Sequence, residues 1–243
     1  MKKSKYSVSI IIPARNEEGN IGKIVPSIPK FGKSLEIIFI EGGSKDKTWQ
    51  EIEKEVNKKH KANIIVRSLK QRGKGKANAT WQGLKSATGD ILMIYDADRT
   101  VPPNDLPKFY NALALHPNEH IFANGNRLLY PMEKGAMQTL NKWGNWMFSH
   151  LFTWIFGQYF GDTLCGTKVF WRDDFKKFKR SKTDPFGDFD LIFGAIRNNL
   201  KVVEIPVRYR ERVYGTTNIN RFYHGLLLGK MAFLAFVEFK LKK

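Results

Sequence analysis

Gly89-Asp90-Ile91-Leu92-Met93-Ile94-Tyr95-Asp96-Ala97-Asp98, running on to Pro102-Pro103, is the stretch that decides the fold. Ile91 to Tyr95 is a short unbroken apolar run, which reads as a buried strand of a parallel sheet. Two carboxylates one residue apart end it, and the Pro-Pro pair stops further strand. In an open α/β sheet, ligands bind outside the carboxyl ends of the strands. An Asp-x-Asp placed there can hold a divalent cation, which can neutralise substrate phosphates. The same pair also suits plain turn chemistry, so the rest of the chain has to decide.

Upstream of that strand the pattern repeats. Ser7 to Ile12 is a β-branched run, and 13–20 then opens a helix near Ile21. Leu35 to Ile40 is a second buried strand. Its loop carries Ser44 and Asp46, either of which can cap the helix that follows through Val56. Asn63 to Val66 is a third strand, followed by the basic, glycine-rich 71–76 and a helix through Lys85. This strand–helix alternation predicts an α/β fold with a doubly wound, mostly parallel sheet flanked by helices.

Downstream the character changes. Strands are expected at Ile121 to Arg127, Lys168 to Trp171 and Val202 to Tyr209, with a helix from about Asp188 to Asn198. Residues 137–160 are rich in Trp and Phe, and the chain ends in an apolar stretch, 225–239, followed by Lys240-Leu241-Lys242-Lys243. A membrane span needs roughly 20 apolar residues. Polar residues interrupt the first stretch, and the second is short and contains Lys230 and Glu238. Two readings stand for each: a helix packed on the sheet, or one lying in the headgroup layer, where Trp, Phe and flanking Lys are favoured.

The 243 residues suffice for one large domain over 1–224, in two halves divided near 104/105, and an amphipathic helix over 225–243. Against 23 Asp and Glu stand 41 Lys and Arg, a net charge of +18, which favours a polyanionic partner. That partner could be nucleic acid, an anionic membrane face or phosphorylated substrates. The single cysteine, Cys165, excludes an internal disulfide and suits a reducing compartment. Without a signal-peptide core, the expected location is the cytoplasm, peripheral at the cytosolic membrane face.

Four loops fall at carboxyl ends of consecutive strands: Pro13 to Glu17, Glu41 to Asp46, Arg72 to Lys76, and Asp96 to Asp98. Acidic groups on the first two can accept hydrogen bonds from a base or ribose. Lys74, between two glycines, can approach a diphosphate closely. Together they read as a nucleotide-diphosphate site.

The motifs that carry a resemblance are SIIIPARNEE at 9–18, EIIFIEGGSKDKT at 36–48, RGKGKANATWQG at 72–83 and GDILMIYDADRTVPP at 89–103. GNR at 125–127, GDTLCGTKVFWR at 161–172, FGDFDLIFGA at 186–195 and VEIPVRYRERVYGTTN at 203–218 follow in order. The chain resembles family 2 glycosyltransferases of the A-type, Rossmann-like nucleotide-diphospho-sugar transferase fold, in the branch of dolichol-phosphate mannosyltransferases and other polyprenyl-phosphate glycosyltransferases.

The resemblance implies a GDP- or UDP-sugar donor bound by Pro13, Ala14, Arg15, Glu17, Glu41, Gly43, Ser44, Lys74, Asp96 and Asp98. It implies Mg²⁺ or Mn²⁺ on Asp96 and Asp98. Arg127, Lys168, Arg210 and Arg212 would serve phosphate or acceptor, and Asp98, Asp188 and Asp190 catalysis. Three departures stand out: Glu41-Gly42-Gly43-Ser44 replaces Asp-Asp-Gly-Ser, Thr100 replaces a third metal ligand, and Thr217-Asn218 replaces Ser-Lys.

The implied reaction is an inverting transfer to a polyprenyl phosphate or other lipid acceptor. A phosphate acceptor is already ionised, whereas an alcohol needs a base, for which Asp190 or Asp188 is the candidate. Asp190 also reads as a helix N-terminal carboxylate favoured by the dipole. Transfer to a glycan hydroxyl, a nucleotidyltransferase and a basic nucleic-acid-binding module are the alternatives. The last leaves unexplained why carboxylates gather at the strand ends, so no nucleic-acid partner is expected.

Overall fold

The β-branched and apolar runs assemble into one sheet in the computed structural model, which describes residues 5–131, 139–181, 184, 187–215 and 221–241. The first half alternates as its sequence predicts: β1 (Val8–Ala14), α1 (Glu18–Ser27), β2 (Leu35–Glu41), α2 (Thr48–Asn57), β3 (Ile64–Lys70), α3 (Lys76–Ser86) and β4 (Ile91–Ile94). These strands pair in parallel in the order β3-β2-β1-β4. β1, β2 and β4 are covered on both faces, which explains their continuous apolar runs. The third strand runs four residues past its expected end at Val66, because Arg67 to Lys70 pair with Ile38 to Glu41. Its polar residues reflect its position at the sheet edge, where charge discourages further pairing.

A 3₁₀ turn, Pro103–Asp105, leads into α4 (Leu106–Ala114) and β5 (Ile121–Asn126). Then come α5 (Thr139–Phe156), β6 (Lys168–Trp171), the single turn α6 (Arg172–Phe175), α7 (Asp188–Arg197), β7 (Lys201–Pro206) and α8 (Arg221–Phe236). The sheet continues β4-β6-β5-β7, with β6 antiparallel to both neighbours.

The last strand is shorter than expected. Beyond Pro206, the Arg208 N–H donates to the Asp105 carboxylate (3.0 Å) and the Arg210 N–H to the Thr100 carbonyl (2.8 Å). Those bonds draw 207–215 out of the sheet and back over the carboxyl ends of the strands.

Helices cover both faces, giving three layers. Ile10, Ile12, Phe39 and Met93 pack with α1, α2 and α4. Ile11, Ile38 and Leu92 pack on the other side with α3, α5, α7 and α8. The aromatic stretch forms much of that second layer, as in the Phe152–Phe189 and Phe156–Phe193 ring contacts at 5.2 and 5.9 Å.

The two helices weighed between core and membrane surface present one face to each. In α5, Phe152, Ile155 and Phe156 are buried, whereas Trp143, Trp146 and Trp154 are 61%, 54% and 57% exposed. In α8, Leu228, Met231 and Ala235 are buried while Leu226 and Phe233 point outward. Among the described residues, no helix is long and apolar enough to cross a membrane. The 224/225 division falls inside α8, which is continuous with the second core.

Candidate active site

The first two loops are tied to each other. Asn16 adopts a left-handed backbone (φ +56°), its N–H donates to Ser44 Oγ (3.0 Å), and its Oδ1 accepts the Lys45 N–H (2.8 Å). Glu41 turns into its own loop, accepting the Ser44 N–H at 2.5 Å, and Gly43 completes that turn. Neither candidate cap for α2 takes the N-cap position, which Lys47 holds; Ser44 bonds Asn16 instead, and Asp46 accepts the Thr48 N–H at 3.0 Å from one residue further out.

These bonds hold open a cleft of about 430 Å³, lined by Arg15, Asn16, Glu17, Lys45, Asp46, Arg212 and Tyr214. Pro13 and Ala14, the last residues of β1, lead into this loop. Burial raises the Glu17 carboxyl above its ordinary value, opposed by the Asn20 amide and the Arg212 guanidinium.

The third loop turns on Gly73 and Gly75, with φ of +86° and +87°. Lys74 between them is exposed, and its carbonyl accepts the Asn78 amide at 2.5 Å. The loop delivers Lys76, the first residue of α3, to the carboxylates: Lys76 Nζ lies 2.7 Å from Asp96 Oδ1. Burial alone would lower that ammonium, but Asp96 and Asp188 hold it well above its usual range. Burial would likewise raise Asp96, and Lys76 keeps it low.

In the fourth loop, Arg99 takes a left-handed φ of +59°, which closes the turn after the pair. Asp98 accepts the Thr100 N–H (3.1 Å) and hydroxyl (2.9 Å), so Thr100 braces the carboxylate. Arg212, swung in from the segment after β7, bridges Asp98 (2.6 Å) and Glu17 (3.1 Å). It thereby joins the Asp-x-Asp carboxylates to the cleft beside Glu17.

Behind Asp96 lies a second ion pair. Lys168 is fully buried, 3.0 Å from Asp188 Oδ1, and donates to the Cys165 carbonyl. Asp190 is elsewhere: its carboxylate accepts the Ser181 N–H at 3.0 Å, on the far side of α7 from Asp188. Arg127 is committed as well, gripping Asp162 through Nε (2.5 Å) and Nη2 (2.8 Å) under the Tyr209 ring. Burial would raise Asp162, and Arg127 keeps it low. Cys165 is buried, which pushes its thiol up to about 12 and removes it from nucleophilic chemistry.

Thus Arg15, Glu17, Asp96, Asp98 and Arg212 converge, and Lys168 and Asp188 stand close behind. Glu41 and Ser44 shape the loops instead of lining the cleft; Asp190 and Arg127 face protein. Thr217 and Asn218 lie outside the described residues. Sequence reasoning passed over Lys76 and Asp162. The first was legible as a second lysine at the helix start beyond Gly75, the second as the acid of GDTLCGTK.

Among the described residues there is no group of three or more His, Cys, Asp or Glu that could hold a metal. Two hard carboxylates nevertheless fit Mg²⁺ or Mn²⁺, which take one or two protein carboxylates and complete their shell with substrate phosphates and water.

The profile of glycosyl transferase family 2 matches residues 9–180. A dolichol-phosphate mannosyltransferase from Pyrococcus furiosus is 33% identical over 108 residues, 44% of this chain and 30% of that protein. A dolichyl-phosphate hexose transferase from Haloferax volcanii is 26% identical over 97% of this chain and 96% of its own length. In fold, the chain is similar to glucosyl-3-phosphoglycerate synthase from Mycobacterium tuberculosis, crystallised with Mn²⁺ and UDP-glucose. The TM-score is 0.65 at 17% identity, covering 96% of this chain and 78% of that one.

Proposed function

The chain belongs to glycosyl transferase family 2, and from that membership we propose that it moves a sugar from a nucleoside-diphosphate sugar to a polyprenyl phosphate at a membrane surface. The observation that carries the choice of acceptor is the commitment of both candidate bases. Asp190 is bonded to the Ser181 backbone, and Asp188 is paired with the buried Lys168. A phosphate acceptor arrives ionised and needs neither, whereas a hydroxyl acceptor would need one of them free. The lipid-phosphate relatives from Pyrococcus furiosus and Haloferax volcanii support the same choice.

The nucleoside would sit in the cleft between Arg15, Glu17, Lys45 and Tyr214, with its diphosphate directed toward Asp96 and Asp98. A divalent cation on those two carboxylates would offset charge on the leaving diphosphate. Lys74 and the glycine-flanked backbone around it can approach the same phosphates. Arg212, already bridging the two subsites, can hold an anionic acceptor against repulsion from the donor.

The outward face of α5, with Trp143, Trp146 and Trp154 exposed and Lys240 over the Trp154 ring, suits the headgroup layer of an anionic bilayer, and the net charge of +18 favours the same surface.

The test is transfer of radiolabelled sugar from UDP- and GDP-sugars to polyprenyl phosphate in anionic vesicles, read as solvent-extractable label. The wild type should label the lipid. A triple Trp143→Ala, Trp146→Ala, Trp154→Ala variant should lose most transfer to vesicles yet keep its thermal shift with nucleotide. Label passing only to glycan hydroxyls would overturn the acceptor assignment.

A further inference from the structure

We propose that Lys76 is an internal counter-ion that competes with the divalent cation for Asp96, so that the cation binds tightly only together with a nucleoside diphosphate. The proposal rests on the reading of Asp96 and Asp98 as the metal carboxylates.

Three features of the geometry carry it. First, the Lys76 ammonium lies 2.7 Å from Asp96 Oδ1, on the site a cation would take. Second, Asp96 has little room to shift on its other side. Its other oxygen is pressed against Gly166, where an added Cβ would come within 2.0 Å of Oδ2 and 2.8 Å of Lys76 Nζ. The carboxylate is therefore confined on one side by Gly166 and held on the other by the ammonium. Third, the neighbouring carboxylates are already matched: Asp98 to Arg212 at 2.6 Å and Asp188 to Lys168 at 3.0 Å. Among the described residues no further acid joins them as a third ligand.

A divalent cation entering alone would meet Asp96 and Asp98 already paired with Lys76 and Arg212, and like charges at such distances repel strongly. A diphosphate changes this balance. Its oxygens can take the Lys76 ammonium, whose flexible four-carbon stem starts from the glycine-hinged 73–75 turn. Asp96 is then released to the cation, which the same diphosphate also coordinates. Metal and diphosphate thus favour each other's binding, and by linkage the coupling is reciprocal. Lys76 acts here as a positioning residue, set by its place at the start of α3, while the exposed Lys74 two residues earlier can contact solvent-side phosphate.

The measurement is Mn²⁺ affinity from the electron-paramagnetic signal of free Mn²⁺, with and without UDP or GDP, corrected for Mn²⁺ held by nucleotide alone. The wild type should bind Mn²⁺ at least tenfold more tightly when its preferred diphosphate is present. Lys76→Met, which keeps length and loses charge, should bind Mn²⁺ alone about tenfold more tightly than the wild type, with little further gain from nucleotide. Lys76→Arg should behave as the wild type. Equal Mn²⁺ affinity in wild type and Lys76→Met, or a wild type indifferent to nucleotide, would overturn the proposal while leaving the metal site intact. If no form binds Mn²⁺ even with diphosphate, the metal site itself falls, and this inference with it.

Discussion

Asp96-Ala97-Asp98 and Asp188-Phe189-Asp190 space their carboxylates identically, yet the first pair converges on one cleft and the second divides between two environments. The first pair follows a strand end and lies in a turn closed by the left-handed Arg99, with Asp96 paired to Lys76 and Asp98 to Arg212 at the carboxyl ends of the strands. The second pair opens α7, where residues two apart point about 200° away from each other. Asp188 therefore meets Lys168 toward the site, and Asp190 meets the Ser181 backbone away from it. Spacing proposes a chemistry, and the local backbone decides whether the groups can share it.

The largest effect should come from the convergent pair. Asp98→Asn should lower kcat by at least ~10³-fold, since it removes a charge that Arg212 uses and that the proposed cation would use. Its Tm should shift little, because the Arg212 partner is part-exposed. Initial rates and a melting curve check both; near-normal turnover would make the two pairs equivalent and end the comparison.

Asp188→Asn should be the reverse: chiefly a stability lesion. Lys168 is fully buried, and removing its partner leaves an uncompensated charge that costs about 3–5 kcal/mol. The double variant Asp188→Asn, Lys168→Met should recover much of that loss in urea melts. A double variant no more stable than the single would show that Asp188 acts through something other than this pair.

What was legible before the structure follows the same logic. Ile10, Ile38 and Leu92 lie in strands buried on both faces, so unbroken apolar runs located β1, β2 and β4. The end of β3 was hidden because Arg67, Ser68 and Lys70 carry an edge strand's polarity. The four residues Lys168 to Trp171 marked β6 but held no sign of its direction, which depends on the pairing with Met93 and Ala123. In the site, Glu17, Asp96 and Asp98 were legible because each sits in a loop directly after a strand. Arg127 looked available for phosphate because its partner, Asp162, stands 35 residues away and only the fold unites them. The sequence pattern predicts strand through Tyr209, whereas the chain's departure after Pro206 is what brings Arg212 to Asp98.

The smallest effect, and the most pointed, is expected at Asp190. Burial raises its carboxyl above the ordinary value, against the lowering by the Ser181 bonds and the nearby Arg180 and Arg197. A raised carboxyl keeps its proton longer folded than unfolded, so over that window the native state binds more protons. Stability therefore falls as pH rises from the unfolded carboxyl's value through the folded one, then levels off. Asp190→Asn cannot ionise, and its amide oxygen can still accept the Ser181 N–H. Relative to wild type, the variant should gain in Tm as pH rises from about 4 toward neutrality, by no more than ~3 °C. Its turnover should stay within about threefold of wild type. A loss on the scale of Asp98→Asn, with a rate profile flattened at low pH, would instead mark Asp190 as the base and place the hydroxyl acceptor ahead of the phosphate, because a phosphate acceptor has no proton for that base to take.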